Sequence, residues 1–140
     1  MAVPAIPYLV FISHSSRDTW VAKQLAKEIS DCGASPFLDV LDIKAGADFE
    51  DRIRESLSRA SELVVLLTPA ALESRYVWVE LGGAWILELP IIALLYGPTP
   101  SEIQSMQSMP ILKATNLIEL NDFETYLSQL AARVSSGRGA

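Results

Sequence analysis

Tyr8-Leu9-Val10-Phe11-Ile12 is an unbroken apolar run with β-branched and aromatic members, and Ser13-His14-Ser15-Ser16-Arg17-Asp18 ends it with a polar turn. A strand with one wet face alternates apolar and polar residues; a run without alternation reads as a strand covered on both faces, as in a parallel sheet. The same pattern recurs in Leu63 to Leu67 and Ile91 to Tyr96, with shorter or weaker strands read at Ser35 to Asp39 and Asn116 to Leu120. Helical spacing fills the intervals. Val21, Leu25 and Ile29 recur at i, i+4 in a helix from about Asp18 to Cys32, and Gly33 stands where a C-cap glycine belongs. Phe49, Ile53 and Leu57 form a second stripe behind Asp48 as cap, Ser101 to Met109 suggests a short helix, and Phe123, Leu127, Leu130 and Val134 mark a closing one.

Strand and helix alternate five times, which predicts an α/β fold with an open five-stranded parallel sheet and helices on both faces. In a flavodoxin-like order of 2-1-3-4-5, ligands collect outside the carboxyl ends of strands 1 and 3, where the order reverses. The loops there are Ser13 to Asp18 and Thr68 to Ser74. The expected organisation is an N-terminal lead over residues 1–7, one domain over 8–134 and a disordered tail over 135–140.

Composition narrows the function. The chain has 140 residues, half of them apolar, and a formal net charge of −6, which argues against a broad nucleic-acid surface. Its single cysteine, Cys32, permits no intrachain disulfide, and its single histidine, His14, removes most zinc patterns and any catalytic triad that does not use it. The N-terminus lacks a signal-peptide pattern, and the run from Ala84 to Tyr96 is short for a membrane span and contains Glu88 and Pro90. The expectation is a cytoplasmic domain without a membrane segment or a metal site.

Ser74-Arg75-Tyr76-Val77-Trp78-Val79-Glu80-Leu81-Gly82-Gly83-Ala84-Trp85 opens the helix after strand 3, with Ser74 as its cap and Pro90 as its stop. At helical spacing Glu80 shares a face with Tyr76, Val77, Ala84 and Leu87. A buried carboxylate costs several kcal/mol unless it is paired. Two readings follow: a structural acid bonded to Ser13 or a backbone amide, or a group that meets a ligand. Glu88 also interrupts the apolar helix, but near its end, within reach of solvent. Trp78 and Trp85 read as packing residues, and Gly82-Gly83 as close packing or as room for a ligand. Cys32 reads as inert.

Several tenants of this fold are missing their residues. Ser13-His14-Ser15-Ser16 has no glycine for a dinucleotide turn and no Gly-Lys-Ser/Thr for a P-loop, and strand 3 ends at Thr68 where a phospho-receiver needs an aspartate.

Three segments together resemble the TIR (Toll/interleukin-1 receptor) family over about residues 8–134: Phe11-Ile12-Ser13-His14-Ser15, then Leu38-Asp39 through Asp42-Ile43-Lys44-Ala45-Gly46, then Ser74-Arg75-Tyr76-Val77-Trp78-Val79-Glu80-Leu81. The last is similar to the Ser-x-Trp/Tyr-Val-x-x-Glu segment of TIR domains that cleave NAD, of the bacterial kind that serves antiviral defence. The resemblance implies NAD+ as substrate, with no separate cofactor, and Glu80 as the catalytic residue. Its carboxylate would face the oxocarbenium-like ribose formed as nicotinamide departs neutral, the logic of glycosidases.

The resemblance further implies that Tyr76, where the family more often has tryptophan, stacks on a ring of the substrate. Ser13, His14 and Ser15 would hydrogen-bond its ribose or phosphates, and Arg17 or Lys44 would offset phosphate charge. The loop with Leu41, Asp42, Ile43 and Gly46 would mediate assembly with other TIR domains, a neighbour completing the site, and a sensor domain or partner protein would be a further partner. The product would be ADP-ribose or a cyclised isomer. The competing expectation is a scaffold that binds other TIR domains without chemistry.

Overall fold

The structure, a computed structural model, describes residues 7–38, 47–106 and 116–138. Five parallel strands form one sheet in the order β2-β1-β3-β4-β5: β1 (Leu9–Ser13), β2 (Ser35–Leu38), β3 (Glu62–Leu67), β4 (Ile91–Leu95) and β5 (Asn116–Glu119). Among the described residues the helices are α1 (Thr19–Asp31), α2 (Ala47–Arg59), α3 (Pro69–Leu72), α4 (Arg75–Ile86), α5 (Pro100–Gln104) and α6 (Phe123–Arg138). This is the doubly wound architecture that the apolar runs predict, with the order reversing between β1 and β3.

The strands bury both faces, and their residues divide strictly by parity. Val10, Ile12, Val64, Leu66, Ile92, Leu94 and Ile118 face α1 and α6, meeting Ala22, Leu25, Ile29, Tyr126, Leu130 and Val134. Phe11, Leu63, Val65, Leu67, Ala93 and Leu95 face the other layer, meeting Ile53 and Leu57 of α2, Ala71 of α3, Val77, Leu81 and Ala84 of α4, and Ile103 of α5. A one-residue slip of any strand would exchange these faces, so the register is well determined. It pairs Ser13 with Val65 and Leu67 with Leu95, which sets the carboxyl ends of β1, β3 and β4 side by side.

Element ends depart from the sequence reading for local reasons. β1 runs from Leu9, and Tyr8 lies just before it, its carbonyl accepting from Ser35 N at 2.8 Å and its hydroxyl donating to Glu62 Oε1 at 2.5 Å. The connection after β3 contains a one-turn helix, α3, capped by Thr68 and opened by Pro69. Helix α4 stops at Ile86, before Pro90 can act, because Glu88 turns left-handed at φ 58. Its neighbour Leu89 donates to Ala84 O at 3.0 Å and Glu88 itself to Trp85 O at 3.1 Å, a Schellman closure with a glutamate in the usual glycine place. Helix α6 continues to Arg138, so residues 135–138, expected in the disordered tail, extend a helix already nucleated upstream. Asp39, Met109 and residues 139–140 lie outside the described residues.

Glu62, which the strand pattern did not include, is fully buried at the start of β3. Tyr8 and Tyr126 donate to its two oxygens at 2.5 and 2.7 Å, and Arg133 adds Nε and Nη2 at 2.8 and 3.1 Å. Four donors satisfy the carboxylate, and with it the segment before β1 and the closing helix are fastened to the sheet centre. Removing one member of such a buried set strands the others. Glu62→Ala is expected to destabilise the chain by about 3 kcal/mol, read from its urea midpoint.

Burial first, then the bond to Glu62, pushes the Tyr8 hydroxyl from 10.0 up to about 12. Tyr126 shifts the same way, again chiefly through burial. The protonated phenol is the neutral form, so the folded state holds its proton to higher pH than the unfolded chain does. The associated stability is complete below pH 10.0 and falls as pH rises towards about 12. A urea midpoint that declines over this window, and declines less in Tyr8→Phe, is the expected result.

Candidate active site

Helix α4 carries Glu80 on its buried side with Val77, Leu81 and Ala84, the i, i+3, i+4, i+7 set that faces the sheet. Two contacts orient its start. Ser74 caps it by accepting from Val77 N, and the Trp78 indole donates to Leu72 O of α3 at 2.9 Å. Trp78 is therefore a packing residue, as expected, whereas Trp85 is 58 % exposed and Leu87, just beyond the helix end, is exposed as well. The two glycines also differ. A Cβ on Gly83 would come within 2.7 Å of Leu57 Cδ1, so close approach of α2 explains that position, while a Cβ on Gly82 would meet nothing within 4 Å.

Glu80 is 3 % exposed. Ser13, the last residue of β1 and equally buried, donates its hydroxyl to Glu80 Oε1 at 2.8 Å. This is the Ser13 pairing that the sequence allowed as a structural role, and it places the carboxylate at the carboxyl end of β1, at the switch point of the sheet. A hydroxyl donor offsets part of the cost of burying the charge. Ser13 is not the sole partner of Glu80, and Tyr76 is likewise engaged by its surroundings.

The other candidates divide by position. Ser15 is buried and spends its side-chain oxygen on Arg17 N at 3.2 Å, capping the 3-10 turn Ser16–Asp18. His14 is half-buried, with Nδ1 3.4 Å from Ile12 O, and Arg17 is exposed on the same turn. Tyr76 is half-buried one turn before Glu80. Lys44 and the assembly-loop residues Leu41, Asp42, Ile43 and Gly46 lie outside the described residues. Asp18 and Thr68 were not singled out from sequence, yet Thr68 Oγ1 donates to Asp18 Oδ2 at 2.5 Å and joins the two loops of the cleft. The Thr68-Pro69 pair, a cap followed by proline, was the available signal for Thr68; nothing local pointed to its bond with Asp18.

An open cavity of about 340 Å³ lies elsewhere, between α2 and the β1–β2 edge, lined by Phe11, Phe37, Arg52 and Arg59 among others. It does not include Glu80. Among the described residues no group of three or more His, Cys, Asp or Glu side chains could hold a metal ion, and no helix is long and apolar enough to cross a membrane.

The 2-1-3-4-5 parallel sheet defines a flavodoxin-like α/β fold, here with a buried glutamate, Glu80, at its switch point. Within that class, the family described as TIR domain matches residues 10–131, and the chain belongs to it. A Brachypodium distachyon protein named a probable 2′ cyclic ADP-D-ribose synthase, BdTIR, is 29 % identical over 104 residues, covering 73 % of this chain and 46 % of that protein. The chain thus spans about half the length of this curated relative. Among solved structures, the TIR domain of the Toll-related receptor TRR-2 from Hydra magnipapillata superposes with a TM-score of 0.65 at 18 % identity, covering 92 % of this chain and 97 % of that one. The TIR domains of the activated Roq1 resistosome, which recognises the pathogen effector XopQ, give 0.59 at 20 % identity, covering 94 % and 80 %. The structural likenesses concern the fold.

The glycines of α4 supply a check on its packing. Gly82→Ala is expected to raise stability by about 0.5–1 kcal/mol, because alanine favours the helix and finds open space. Gly83→Ala is expected to bring no such gain, because its methyl group must displace Leu57. Paired urea denaturation curves measure the contrast.

Proposed function

We propose that this chain cleaves NAD+ at the bond between nicotinamide and ribose, with Glu80 as the catalytic residue. The observation that carries the reading is the burial of that carboxylate at the β1–β3 switch point, where Ser13 orients it. The name of the Brachypodium relative, a cyclic ADP-ribose synthase, supports the same substrate class.

As the C1′–N bond breaks, its electron pair neutralises the pyridinium nitrogen and positive charge passes to the ribose. A fixed carboxylate beside that carbon stabilises the developing charge without reorganising. Water then adds to the ribose and loses a proton to give ADP-ribose, or a hydroxyl of the same substrate adds to give a cyclic isomer. Nicotinamide leaves neutral, so no strong general acid is needed.

Tyr76 stacks on a ring of the substrate, and Ser13, His14 and Ser15 bind ribose or phosphate oxygens. Arg17 and Lys44 balance phosphate charge. The loop containing Leu41, Asp42, Ile43 and Gly46 contacts another TIR domain, which completes the site, and a sensor domain or partner protein is a further partner. The biological role is that of a cytoplasmic bacterial defence effector or signal generator.

A second reading, a scaffold acting through TIR–TIR contact without chemistry, draws on the outer surface of α4, where Val79, Trp85 and Ile86 are 53, 58 and 74 % exposed. Glu80→Gln separates the two. The amide keeps the shape and an acceptor for Ser13 but removes the charge. Under conditions that assemble the parent, Glu80→Gln is expected to release nicotinamide at least about 100-fold more slowly, the scale of losing one transition-state stabiliser. Unchanged turnover excludes Glu80 as the catalytic group.

A further inference from the structure

The loop from Ser13 to Asp18 is fastened to the β3–α4 segment at both ends. At its start Ser13 Oγ meets Glu80 Oε1 at 2.8 Å, and at its close Asp18 Oδ2 accepts from Thr68 Oγ1 at 2.5 Å. Asp18 occupies the N-cap position of α1, where an aspartate ordinarily accepts from an amide of the first turn, yet its side chain makes no capping bond. Its carboxylate is turned towards the end of β3 instead, where it accepts from Thr68. Thr68 is buried and uses its hydroxyl twice, accepting from Ala71 N at 3.0 Å as the cap of α3 and donating to Asp18.

We propose that Asp18 and Thr68 are a positioning pair: their hydrogen bond holds the loop bearing His14, Ser15 and Arg17 in register with the segment that carries Glu80. The loop is closed within itself by Asp18 N on Ser15 O at 2.9 Å and Arg17 N on Ser15 Oγ at 3.2 Å, and the Asp18–Thr68 bond fixes that closed turn against the end of β3. A hydroxyl bonded to a carboxylate is one of the stronger hydrogen bonds available to uncharged donors. Here it joins the loop after β1 to the loop after β3, between residues 50 apart in sequence. Neither side chain is assigned a contact with substrate. Their effect passes through the loop, and its catalytic consequence rests on the NAD-cleaving reading, whereas the pairing itself does not.

Three variants dissect the pair. Asp18→Ala removes only the bond to Thr68, Thr68→Val removes that bond and the α3 cap while keeping side-chain shape, and Thr68→Ser retains the hydroxyl. With saturating NAD+ and folded protein verified by circular dichroism, Asp18→Ala and Thr68→Val are each expected to lower kcat at least about ten-fold, since misplacement by about 1 Å can cost on the order of 100-fold. The double variant should be no slower than the slower single one, and Thr68→Ser should behave as the parent. Parental kcat in folded Asp18→Ala overturns the positioning role.

Hydrogen exchange of the amides of residues 14–17 reads the same pair without turnover. The expected result is exchange about ten-fold faster in Asp18→Ala and Thr68→Val, with Thr68→Ser at the parental rate. Unchanged exchange overturns the pairing whether or not NAD+ is cleaved. A parent that leaves NAD+ intact but gives this exchange pattern overturns the NAD reading and supports the pair.

Discussion

The hydrogen bond from Ser13 to Glu80 joins the end of β1 to the second turn of α4 across the switch point of the sheet. Much of the fold serves to make it possible. The register of β1 on β3 sets Ser13 level with Val65, and the short α3 turn followed by the Ser74 cap brings α4 back over the sheet. The absence of a side chain at Gly83 lets α4 lie close against Leu57 of α2. Each of these is a packing choice, and together they deliver the Glu80 carboxylate to the carboxyl end of a parallel sheet.

Glu62 is the useful contrast. Both acids are buried at the sheet, but Glu62 opens β3 whereas Glu80 lies beside the closing residue of β1. Glu62 is met by two phenol hydroxyls and a guanidinium, which fasten Tyr8 and α6 to the sheet centre. That is a stabilising cluster remote from the cleft. Glu80 instead meets the hydroxyl of the strand that ends beneath it, at the position where open α/β sheets receive ligands. Burial of an acid alone does not distinguish a stabilising role from a ligand-facing one; the end of the sheet at which Glu80 occurs is what supports the proposed role.

The sheet order and layers were legible because unalternating apolar strands and spaced helical stripes constrain a parallel α/β chain strongly. Glu80 and Ser13 were legible because a lone acid on an apolar helix face demands a partner, and Ser13 stood at the correct strand end. Long-range polar contacts were not legible. Nothing in the local pattern around Glu62 announces donors 54 to 71 residues away, and the pattern around Asp18 suggests a helix cap, with no hint of Thr68 against it. Helix ends were misplaced where the final turn is decided by backbone geometry, as at Glu88, or by propagation, as at Ser135 and Ser136.

The claim that Glu80 serves a cationic ribose, and is not simply another satisfied buried acid, meets its most direct test in product analysis of the unmodified chain. NAD+ is incubated with the protein over a range rising to concentrations at which the chain self-associates, and the mixture is resolved by chromatography. Free nicotinamide is expected in one-to-one proportion with ADP-ribose or a cyclised isomer, at a rate per chain that grows with assembly. Intact NAD+ beside demonstrably assembled protein would contradict it.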